Sequence, residues 1–108
     1  MPLTRSFKEF VKSRIEQDPK FRHALFQEAV QTLIEGDVDT AKAVLRDFIN
    51  ATVGFQALAE ATGMPAKSLM RMFGSTGNPT AVNLFGVIAA LQEKTGVHLE
   101  VRAVENAA

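Results

Sequence analysis

The sequence predicts an all-α fold, a single-domain bundle of six helices followed by one short C-terminal strand. Three observations carry that expectation. Apolar residues recur at three- and four-residue spacing through most of the chain, glycines and prolines interrupt them at intervals that suit short helices, and only the last stretch changes to a period of two. With 108 residues, 46% of them hydrophobic, the chain is large enough to bury one core without disulfides or metal. It has no cysteine, which removes disulfide frameworks and thiolate zinc sites and fits a reducing compartment.

The first helix places Phe7, Phe10, Val11 and Ile15 on one face, and Ser6-x-x-Glu9 reads as a capping box at its start. It should end near Asp18-Pro19, where Asp18 is a good N-cap and Pro19 suits the first position of the next helix. There Leu25, Phe26, Ala29, Val30, Leu33 and Ile34 form a broad stripe that predicts deep packing up to Gly36. Asp37 or Asp39 can cap a third helix, with Ala41, Val44, Leu45, Phe48 and Ile49 inward and an end before Val53-Gly54. Two short helices then flank Gly63: Leu58 and Ala59 face the core from one, and Met64, Leu69 and Met72 from the other. After the loop Gly74-Ser-Thr-Gly-Asn-Pro79, Thr80 can cap a last helix buried through Leu84, Val87, Ile88 and Leu91 and closed by Gly96. The expected division is an N-terminal helical extension over 1–36, a core over 37–96 and a tail over 97–104.

In that tail Val97, Leu99, Val101 and Ala103 alternate with His98, Glu100, Arg102 and Val104, the pattern of a half-buried strand. No second strand is available in the chain. A lone strand leaves its backbone groups unpaired, so these four residues are expected to mediate dimerisation, pairing with a second copy across a two-fold axis or with another protein.

Phe55 to Gly74 has the pattern of a helix-turn-helix, and the outer side of its second helix carries Ala66, Lys67, Ser68, Met70 and Arg71. A helix presented in this way fits the DNA major groove. Charge placement supports the same reading. Between Glu60 and Glu93 there is no acidic residue, whereas before Ala61 eight Lys/Arg stand against nine Asp/Glu and from Glu93 onward two against three. The formal net charge of zero therefore conceals a sign-asymmetric distribution. Two cations, Lys67 and Arg71, lie in the acid-free window, so sequence-independent affinity for DNA should be weak unless a dimer doubles the contacts. Arg71 is the candidate base reader, because its planar fork can donate twice to a guanine edge, and Lys67 the candidate backbone contact. Ser75, Thr76, Asn78, Thr80 and Asn83 are candidate phosphate donors around the start of the last helix.

The run Leu58-Ala-Glu-Ala-Thr-Gly-Met, then Ser68-Leu-Met-Arg-Met-Phe, then Gly77-Asn-Pro-Thr and Asn83-Leu resembles the addiction-module antidote family, lambda-repressor-like helix-turn-helix regulators. Asp18-Pro-x-Phe21 and Glu35-Gly-Asp37 are similar to that family's leading segment. The resemblance implies a toxin-neutralising antitoxin that represses its own operon. It also implies a phosphate-clamping glutamine early in the motif's first helix. Phe55 occupies that position here, and Gln56 sits one residue later, roughly 100° around the helix. Pro65-Ala66 stands where related proteins often have a serine cap and a basic residue, which leaves Ala66 a van der Waals contact such as a thymine methyl.

Other chemistry has little support in the sequence. His23 and His98 lie in separate elements with no metal-ligand spacing, and Asp37 with Asp39 reads as a cap and helix-dipole partner rather than a catalytic carboxylate pair. The expectation is no enzyme, no cofactor and no metal. The longest apolar run, Leu84 to Leu91, is far below the roughly 20 residues that span a bilayer, and no secretory signal pattern opens the chain, so a cytoplasmic protein is expected. The expected partners are a palindromic DNA operator, a second copy of the chain and a small basic toxin protein. The rival expectation is a protein-interaction module that holds a partner through its strand and Phe-rich helices without binding DNA.

Overall fold

The computed structural model describes the backbone of residues 2–107 and the side chains of residues 9–107. All the regular secondary structure among those residues is helical: α1 Pro2–Gln17, α2 Pro19–Ile34, α3 Val38–Ala51, α4 Phe55–Thr62, α5 Ala66–Met72 and α6 Ala81–Thr95.

Local chemistry sets most of the boundaries. Asp18 accepts from the amides of Lys20 and Phe21 at 3.1 and 3.2 Å, with Pro19 opening α2. The Phe21 amide above all, with the Arg14 guanidinium 3.1 Å away, holds the Asp18 carboxyl below its ordinary range. Arg22 reaches back to the Ile15 carbonyl at 3.2 Å, occupying an acceptor that the last turn of α1 leaves free. Of the two aspartates that could cap α3, Asp37 does so, accepting from the Thr40 amide. Thr80 caps α6 through the Asn83 amide, and Gly96 closes it in the left-handed conformation.

The start of α1 differs from expectation. The helix opens at Pro2, so Ser6 lies inside it and the Ser6–Glu9 capping box does not form its beginning. A proline in a helix's first turn removes a donor that has no intrahelical partner anyway, which lets the helix start early. Phe7 lies outside the described side chains. Among the other inward positions expected for α1, Ile15 is fully buried and Val11 half-buried, whereas Phe10 is 60% exposed. In α2 only Phe26 and Ala29 are fully buried, and Ile34 is exposed, so that helix is seated less deeply than its apolar stripe predicts.

Helices α1 to α3 pack on one another, and α4 packs on both α5 and α6. One aromatic pair fastens each set. Phe26 stacks on Phe48 at 4.8 Å between ring centroids, and Phe55 meets Phe73 at 6.4 Å in a tilted pair. The apolar cluster runs on from Leu45 and Ile49 through Leu58 and Leu69 to Leu84, Val87 and Leu91. No described helix is long and apolar enough to cross a membrane.

The expected C-terminal strand is not formed in the isolated chain. Among the described residues there is no strand, and 97–107 is irregular. Val97 and Leu99 still lean on the core, with the Leu99 amide donating to Gln92 Oε1 at 2.9 Å, but Val101 and Ala103 are exposed. The reason is pairing: with no neighbouring strand among the described residues, a backbone donor turns to a side-chain acceptor on α6.

Candidate nucleic-acid interface

The candidate surface begins with a short corner. Helix α4 stops at Gly63, whose φ of 74° is readily adopted only by a residue without a Cβ, and Thr62 stiffens the turn by donating to the Leu58 carbonyl and accepting from the Met64 amide. Pro65, in extended conformation, occupies the cap position just before α5. Helix α5 then sends Leu69 and Met72 into the core. Helical geometry leaves two columns outward, Lys67 with Arg71 and Ala66 with Met70. Lys67, Met70 and Arg71 are exposed, and Ala66 and Ser68 are half-buried.

The segment after α5 is fixed from below. Gly74 donates to the Arg71 carbonyl and Gly77 to the Gly74 carbonyl, both at 3.1 Å. A Cβ on Gly77 would overlap the carbonyl oxygens of Arg71 and Met72, so the loop presses backbone on backbone there. Beneath it, Lys42 of α3 is 3% exposed and its Nζ donates to the carbonyls of Gly74 at 3.2 Å and Gly77 at 2.6 Å, with an Asp39 carboxylate oxygen 3.7 Å away. A buried ammonium with two carbonyl acceptors is satisfied, and it lies near the end of α5 where carbonyls lack intrahelical partners.

This anchoring gathers several expected residues. Ser68, Arg71, Thr76, Asn78, Thr80 and Asn83 line one open groove of about 330 Å³ between α5 and the start of α6. Its walls offer one guanidinium and several neutral donors with no carboxylate, a combination suited to a polyanion backbone. The remaining expected residues lie elsewhere. Ser75 turns to the opposite side of the loop and lines a separate cleft with Asp39, Lys42 and Arg46. Gln56 is exposed on α4, outside the groove lining, and Phe55 beside it is buried against Phe73. Val97, Leu99, Val101 and Ala103 belong to the tail beyond α6.

Lys42 is the residue that sequence reasoning missed. Its signal was present: it stands three residues before Leu45 and seven before Ile49, on the inward stripe of α3, where a lysine is out of place unless it has partners. No protein-family model, curated protein or solved structure matches this chain.

Proposed function

We propose that this chain is a sequence-specific, DNA-binding transcriptional regulator that presents α5 to the major groove. The observation that carries the reading is the groove of Arg71, Ser68, Thr76, Asn78, Thr80 and Asn83, free of carboxylates and continuous with the exposed Lys67, Met70 and Arg71 face. Arg71 reads a base edge, Lys67 and the loop donors hold phosphates, and Gln56 approaches the backbone from α4. A two-fold dimer places two such helices on half-sites about 34 Å apart along a palindromic operator. Its second copy is met by the tail, whose Val101 and Val104 are 84% and 82% exposed.

The resemblance to addiction-module antidotes adds the companion role, an antitoxin of a cytoplasmic toxin–antitoxin pair that represses its own operon and neutralises a small basic toxin. Exposed Phe10, Ile34 and Val38 on the N-terminal helices favour a protein contact in that region, either alongside DNA binding or, on the rival reading, in place of it.

A salt-dependent mobility shift on the region upstream of the gene tests the reading. Arg71→Ala should lose about 1–3 kcal/mol of operator affinity and relax base preference at one position, while Lys67→Ala weakens all sequences alike and lowers the salt slope by about one. Absence of any shift at low salt, or unchanged binding by both variants, removes DNA from the function.

A further inference from the structure

We infer that Lys42 is the positioning residue of this surface: from α3 it fixes the 74–78 loop, so the phosphate contacts of Thr76 and Asn78 depend on an ammonium that touches no nucleic acid. The inference rests on the DNA-binding reading above. Its structural basis is independent of that reading. The Lys42 side chain is 4% exposed, and Nζ holds two carbonyls three residues apart in sequence, at 3.2 Å on Gly74 and 2.6 Å on Gly77. The loop's own backbone supplies one internal bond between those residues, from the Gly77 amide to the Gly74 carbonyl. Without the ammonium, the part-buried Gly77 carbonyl loses its donor, the Gly74 carbonyl keeps only the Gly77 amide, and the loop relaxes toward water. Thr76, Asn78 and Pro79 stand on that loop and form one wall of the groove, facing Ser68 and Arg71 from α5, so any shift of the loop changes the groove's width.

Lys42 also joins the two helix sets. It belongs to α3, which packs with α1 and α2, and it grips the connection between α5 and α6. The outward α5 face is therefore oriented by the N-terminal helices as well as by α4.

The test uses Lys42→Met, which keeps the length and apolar stem while removing the three donors, and reads two quantities on the full chain. The first is the exchange of the Gly77 amide with solvent, expected to accelerate by at least about tenfold while α4 amides are unchanged. The second is affinity for a duplex from the upstream region, expected to fall about tenfold in the wild-type background and less than about twofold when Asn78→Ala is already present. If the substitution prevents folding, Gly77→Ala displaces the same loop against the Arg71 and Met72 carbonyls, and faster exchange of the residue-77 amide with the same two affinity changes is expected. Unchanged Gly77 exchange with normal wild-type binding overturns the role of Lys42 alone. An equal loss of affinity with and without Asn78→Ala overturns it too, since a merely structural lysine weakens both backgrounds alike. No wild-type binding at low salt overturns the DNA reading and the positioning role together, a result distinguishable from the first two.

Discussion

The loop after α5 and the tail after α6 both leave a helix without regular structure, and they are held in opposite ways. The loop is fixed at its middle by a buried lysine and by a glycine pressed against two carbonyls. Among the described residues the tail is fixed only at its root: Val97 and Leu99 touch the core, the Leu99 amide finds Gln92, and Val101 to Ala107 are exposed. An irregular segment can thus be as constrained as a helix when its carbonyls receive buried donors. It becomes a free arm when its backbone must wait for a partner.

The largest effect should come from breaking the support under the loop. Phe73 ends α5, is 1% exposed and packs on Phe55, so Phe73→Ala should cost about 3–5 kcal/mol in chemical denaturation, the range for truncating a buried aromatic. A much smaller loss would mean that the loop and α4 do not share one rigid base. Leu99→Ala probes the tail's root. Leu99 is half-buried, and about 1–2 kcal/mol is expected, measured in the same way.

The same contrast explains how much the sequence made legible. Features set by neighbours in the chain were readable: the caps Asp18 and Thr80, the left-handed Gly63 and Gly96, and the outward Lys67–Arg71 column that follows from Leu69 and Met72 pointing inward. Features set by distant partners were not. Phe10 and Ile34 match an inward period but find no covering element, and the alternating tail has the strand pattern without a strand beside it. Within the candidate site, a helix's period indicates which way Arg71 points. No period governs a loop, so the turning of Ser75 away from Thr76 and Asn78 could not be read. Lys42 and the loop carbonyls it holds are separated by more than thirty positions, and only the inward placement of a charge hinted at them.

The smallest expected effect is the one that decides what the tail is for. Removing residues 100–108 deletes side chains that, through Ala107, are exposed, and it leaves Leu99 and its bond to Gln92 in place. The stability of a single chain should therefore change by no more than about 0.5 kcal/mol. If the tail joins two copies, the full chain's melting temperature rises with protein concentration because association stabilises the folded form, whereas the shortened chain melts at one temperature across the same range. Operator binding then separates the two segments. The shortened chain keeps Lys67, Arg71 and the anchored loop, so each copy still contacts a half-site, but it loses the cooperative second contact, and its salt slope falls toward half that of the full chain. Equal slopes and equal concentration dependence would move the two-fold contact away from the tail, leaving Val101 and Val104 for another partner.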